Sequence, residues 1–112
     1  MIKKRISFPK GDTKPFKIRI KMADGTYFVP NANSDNLVFE VRATPSSNAV
    51  IKKEFANGDI VFDEGSNFFL FTVTPDDTEV LCAEYLYLFT VKFTSTPTDT
   101  VRTVAQGVFE VH

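Results

Sequence analysis

Apolar and polar side chains alternate along most of this chain with the two-residue period of an extended strand. The alternation is cleanest from Lys14 to Met22, where Phe16, Ile18, Ile20 and Met22 share one face and Lys17, Arg19 and Lys21 the other. Leu37, Phe39 and Val41 repeat it, as do Phe69, Phe71 and Val73, and then Tyr85, Tyr87, Phe89, Val91 and Phe93. The stretch Val101–Val111 alternates about Gly107, and a glycine inside a strand marks a bulge or a close backbone approach. Ile2–Phe8 alternates loosely and reads as an edge strand. Residues 49–55 and 59–62 flank Asn57-Gly58, a type I′ turn signal that predicts a hairpin.

The two-residue period fails between Thr74 and Ala83. Thr74 suits an N-cap, Pro75 the first helical position, and Asp76 and Asp77 the positive end of a helix. Asp77 follows Thr74 by three residues, as in a capping box with Asp replacing Glu. The spacing therefore predicts an all-β, immunoglobulin-like sandwich of seven or eight mostly antiparallel strands, with one short helical turn near residues 75–82. In such sandwiches a tyrosine at the start of a late strand hydrogen-bonds back to the preceding corner. Ala83-Glu84-Tyr85-Leu86-Tyr87 resembles that Ala-x-Tyr-x-Cys stretch, with Tyr87 in place of the Cys. Tyr85 is thus expected at the corner, with Thr74 and Asp77 as its other structural residues.

At 112 residues the chain is expected to form one domain, residues 1–112, with twelve Phe and three Tyr available for its core. The net charge is −1, which gives the whole molecule no strong attraction to nucleic acid or an anionic membrane. The charge is unevenly placed, however: up to Lys21, eight Lys and Arg residues face Asp12 alone. Cys82 is the single thiol, so no intrachain disulfide is expected. Met1–Arg5 has the charge of a signal n-region, but Phe8-Pro9-Lys10 interrupts where an apolar region would follow. No apolar run approaches a membrane span, and a cytoplasmic protein is expected.

No catalytic set emerges. The single histidine is His112, and Cys82 has no Lys or Arg nearby in sequence to favour its thiolate; its plain reading is a small buried residue. Asn31, Asn33 and Asp35 have calcium-loop spacing, but Asn36 and Arg42 stand where that loop needs Gly and Glu. The expectation is no enzyme, no metal and no cofactor. Lys17, Arg19 and Lys21 line a strand face that could follow a phosphate backbone. Single-strand binders also place stacking aromatics on that face, whereas here they alternate away, and protection of a sheet edge by lysine is the commoner reason.

Several strands carry apolar residues on both faces. Phe68 and Leu70, Leu86 and Leu88, and Val104 and Val108 all oppose the inward sets. A lone sandwich places polar groups there, so these six residues are candidates for contact with another subunit, with a covering segment of the chain as the alternative.

The order of short motifs resembles the N-terminal domain of phage baseplate upper proteins and similar phage tail modules. The motifs are Lys10-Gly-Asp-Thr13, Val38-Phe-Glu-Val-Arg42, Leu70-Phe-Thr-Val-Thr-Pro-Asp-Asp-Thr78, Ala83-Glu-Tyr-Leu-Tyr87 and Gly107-Val-Phe-Glu-Val111. The resemblance implies an immunoglobulin-like sandwich without an active site, made in a bacterial cytoplasm and assembled into a phage particle. The implied partners are other virion or tail subunits; the doubled apolar faces add further copies of the chain, and the charge and span readings above leave out nucleic acid and membrane. The alternative is a sandwich that binds carbohydrate or a host surface through the Asn31–Asn36 and Thr94–Thr100 loops, although neither loop contains an aromatic residue for stacking on sugars.

Overall fold

The computed structural model describes residues 2–30, 34–95 and 100–112. In chain order the elements are β1 (Ile2–Phe8), β2 (Lys14–Ile18), β3 (Asp35–Arg42), β4 (Ala49–Glu54), β5 (Val61–Asp63), β6 (Phe68–Val73), α1 (Pro75–Thr78), β7 (Tyr87–Ser95) and β8 (Thr100–Val111). One sheet has the order β1-β8-β7-β3-β4 and the other β2-β6-β5. They pack as the all-β sandwich that the alternation predicts. Neighbouring strands are antiparallel except β1 and β8, which run parallel. A parallel pair needs a long crossover. Here the pair joins the first strand to the last, so the intervening chain supplies it.

The inward residues meet between the sheets. Leu37, Phe39 and Val41 of β3 face Phe69, Phe71 and Val73 of β6, all of them buried. Phe39 is central: its ring centroid lies 4.8 Å from that of Phe71, 6.1 Å from those of Phe16 and Phe89, and 6.2 Å from that of Phe109. Such ring pairs contribute roughly 0.5–1.5 kcal/mol each beyond the area they bury.

At the corner, the Thr74 side chain accepts from the Asp77 N–H, and the Asp77 carboxylate accepts from the Thr74 N–H at 2.8 Å. Asp77 also pairs with Lys53 at 2.8 Å. Lys53 stands opposite Phe39 on the edge strand β4, hence on its inward face. Burial pushes the Asp77 carboxyl up, but the bonds from Lys53 and Thr74 outweigh it and hold the group below the usual range. Thr78 is fully buried; its hydroxyl donates to the Pro75 carbonyl and accepts from the Gly11 N–H at 3.3 Å.

Five sequence expectations are corrected. Asn57-Gly58 does not close a hairpin, because β4 and β5 lie in different sheets and β5 pairs with β6. A type I′ turn needs positive φ at both central residues. Only Gly58 has it, at 84°, so the turn carries the chain across the sandwich to the buried Ile60.

Tyr85 is not the corner tyrosine. It is exposed, and Tyr87 makes the bond back to the corner. Glu84, at φ 64°, turns the chain just before, and β7 begins only at Tyr87, so strand parity does not reach Tyr85.

Val104 is not on an outer face. The β7–β8 register shifts between Val91 and Lys92, whose partners are Ala105 and Thr103. The skipped Val104 turns to pack against the core. Cys82 is exposed rather than buried.

The run Lys14–Met22 also pairs over a shorter length than its alternation. β2 ends at Ile18, Lys21 forms an isolated bridge with Tyr27, and Met22 is exposed. Asp24 shapes the intervening turn by accepting from the Thr26 hydroxyl at 2.6 Å and the Thr26 N–H at 3.0 Å. The hydroxyl bond, then the N–H bond, holds its carboxyl below the usual range.

Candidate functional site: a cationic groove between two sheet edges

The Pro9–Thr13 connection takes the chain from one sheet to the other. β1 and β2 therefore start their own sheets side by side without pairing, and each keeps one edge that faces no strand among the described residues. Gly11, at φ 91°, makes the turn, and its bond to Thr78 fixes the turn against α1.

Between these edges lies a groove of about 610 Å³. That volume is within the rough 300–1,000 Å³ range of small-molecule sites. The core residues Phe39, Phe71, Phe89 and Val91 form its floor. Ile6 of β1, Phe16 and Ile18 of β2, Ile20, and Val104 and Ala105 of β8 form its apolar walls. Lys4, Arg5, Lys14, Lys17, Arg19, Lys21 and Arg102 stand around it, and no Asp or Glu among the described residues lines it.

These cations fall into two groups. Arg5 is bound to Glu110 at 2.7 Å. Lys17 and Arg19 lie over the Phe68 ring at 4.9 and 4.5 Å, and Arg19 also lies over Tyr27 at 3.9 Å. Lys4, Lys14, Lys21 and Arg102 have no ion-pair partner among the described residues. Lys4 shares the strand face of Ile6 and Phe8, Lys14 shares that of Phe16 and Ile18, and Arg102 stands opposite Phe93, which packs on the core. These three cations thus occupy inward strand positions where the strands outrun the core. Unpaired charges of one sign above apolar walls focus a positive potential into the groove.

The six residues singled out from the sequence do not form one surface. Phe68 and Leu70 lie on the outer face of the three-stranded sheet, where Leu70 stands beside the exposed Val61 and Phe68 is covered by Lys17 and Arg19. Leu88 lies on the opposite side of the sandwich with Val108, its cross-strand neighbour, and Leu86 is exposed just before β7 begins. Val104 lines the groove. The cationic run Lys17–Lys21 is partly covered too: alternation along β2 keeps its own aromatics away, but β6 and the next turn bring Phe68 and Tyr27 beneath the cations.

Other sequence candidates take structural positions. Asn36 donates to Glu54 at 3.4 Å and accepts from the Ala56 N–H at 2.9 Å, tying β3 to the turn after β4. Asn31 and Asn33 lie outside the described residues, as do residues 96–99 of the Thr94–Thr100 loop named with them. Arg42 donates to the Ser47 carbonyl and pairs with Glu40. The backbone of His112 is paired at both ends, to the Phe8 carbonyl and the Lys10 N–H. Among the described residues, no group of three or more His, Cys, Asp or Glu gathers to hold a metal ion, and no helix is long and apolar enough to cross a membrane.

The groove itself was missed by sequence reasoning. Its signal was the basic bias of the first two strands, which alternation assigned to edge protection. No known protein family and no curated protein sequence matches this chain.

Proposed function

We propose that this protein is a non-enzymatic assembly module that works through protein–protein contacts, of the kind that builds a phage or prophage tail or baseplate from subunits made in a bacterial cytoplasm. The observation that carries the reading is the outer face of the five-stranded sheet. Leu88 is 37% exposed there, beside its cross-strand neighbour Val108, and Leu86, just before the strand begins, is 52% exposed. Adjacent apolar residues on an outer sheet face are the mark of a surface that another subunit covers.

The same face carries both charge signs, in Arg5–Glu110 and Arg42–Glu40. Mixed charge around an apolar centre suits a second copy related by a twofold axis, since such a surface complements itself. The motif resemblance to phage baseplate and tail modules supports the virion context.

Sedimentation velocity at micromolar concentration tests the reading. The expected result is a dimer or larger species that becomes monomeric when Leu86→Asp and Leu88→Asp are combined, with the circular dichroism spectrum unchanged. A natural protein that remains monomeric counts against it.

A further inference from the structure

We infer that the groove between β1 and β2 receives an extended, acidic segment of a partner protein, which adds a strand to the sandwich. The inference rests on the assembly reading above and specifies the chemistry of one partner.

Three observations converge. β1 and β2 each present an edge that no described strand pairs, and an unpaired edge offers backbone N–H and C=O groups to an incoming strand. The space between the edges is floored by core rings, including Phe39 and Phe71, so an incoming apolar side chain would meet the interior of the sandwich. Lys4, Lys14 and Arg102 stand at inward positions around that space without an acid among the described residues that line it.

An extended segment sends alternate side chains to opposite faces. One with apolar residues at its centre and carboxylates towards its ends satisfies the floor and the cations together. β1 runs for seven residues, which sets the length of segment it can pair with. An anionic amphiphile would satisfy the floor and the cations but leave both strand edges unpaired. The backbone groups therefore favour a polypeptide.

The test is a 15N NMR titration of the 112-residue protein with a capped ten-residue synthetic peptide, the Glu-Val peptide, that has four central Val residues flanked by three Glu at each end; a Lys-Val peptide has Lys in place of each Glu. The expected result is saturable shifts and slowed amide exchange in β1 and β2. Methylating alternate amide nitrogens of the peptide, in either phase, should abolish them. Lys4→Glu combined with Lys14→Glu should weaken binding at least about fivefold, and a Lys-Val peptide should then bind this variant better than the natural protein. Both lysines are exposed, so the variant is expected to fold, as circular dichroism would show.

Equal binding of the Glu-Val and Lys-Val peptides, no binding at millimolar peptide, or shifts with dodecanoate but not with peptide would each overturn the inference. The self-association assay reads leucines on an outer face. A failure here with self-association intact removes strand addition alone, whereas monomeric natural protein that still binds the peptide removes the self-assembly contact alone.

Discussion

The Tyr87 hydroxyl accepts a hydrogen bond from the backbone N–H of Cys82 at 2.8 Å. That bond ties the first residue of β7 to the loop leaving α1, and so sets the angle at which the chain re-enters the large sheet. Tyr85, two residues earlier, places its ring 4.8 Å away, yet is 46% exposed where Tyr87 is 5%. Tyr87→Phe should cost about 1 kcal/mol by removing the acceptor. Tyr85→Phe should stay within about 0.5 kcal/mol. Urea denaturation of the two variants separates them, and equal effects would remove Tyr87 from its corner role.

Burial, first, raises the pKa of the Tyr87 hydroxyl above its ordinary 10.0. A raised folded value means that the stabilisation is fully present below pH 10.0 and is lost as pH rises through the folded value. Natural protein should lose more stability on the alkaline side than Tyr87→Phe does, measured by urea midpoints well below and above pH 10.0.

Asp77 gives the opposite limb. Its folded carboxyl lies below the ordinary 3.8, so its contribution is present above pH 3.8 and is lost as pH falls through the folded value. Asp77→Asn should flatten the acid side of the stability profile. Thr74→Ala should cost about 1 kcal/mol through the lost cap. A double-mutant cycle of Asp77 with Lys53 isolates their ion pair, and a coupling indistinguishable from zero would make it incidental.

Gly107 stands opposite Lys4 in the parallel β1–β8 ladder. A Cβ at Gly107 would run into the Lys4 carbonyl. Backbone cannot yield as a flexible side chain can, so Gly107→Ala should displace β1 and cost roughly 1–3 kcal/mol. Hydrogen exchange should show lost protection in β1 while β3 and β6 keep theirs. Unchanged β1 protection would contradict the close approach.

Val104 and Leu86 were assigned to the same class by the sequence, and the structure separates them. Val104→Ala should destabilise by about 1–2 kcal/mol, because Val104 packs against the core. Leu86→Ala should leave folding within about 0.5 kcal/mol and weaken self-association instead. Denaturation and sedimentation on the same two variants give opposite orders if the assignment is right.

The alternation of Leu37, Phe39 and Val41, of Phe69, Phe71 and Val73, and of Phe89 and Val91 determined which side chains form the core, because strand geometry alone sends every second residue to one face. Thr74, Pro75 and Asp77 likewise determined a capped turn from local chemistry, each group being satisfied within four residues of chain. The sequence by itself therefore established a two-layered β protein and most of its interior.

What it left open involves partners distant in sequence. Strand parity holds only while pairing continues in register. The skipped residue at Val104 and the turn at Glu84 could be located only by the strands that pair across β7 and β8. Asn57-Gly58 fits a local hairpin, but the burial of Ile60 in the other sheet sends the chain across instead. The groove is the clearest case. Its floor comes from β3, β6 and β7 and its cations from β1, β2, the residues just after β2, and β8, so no contiguous stretch contains it. Only tertiary packing, which starts β1 and β2 in different sheets and leaves between them edges that no described strand pairs, decided that it exists.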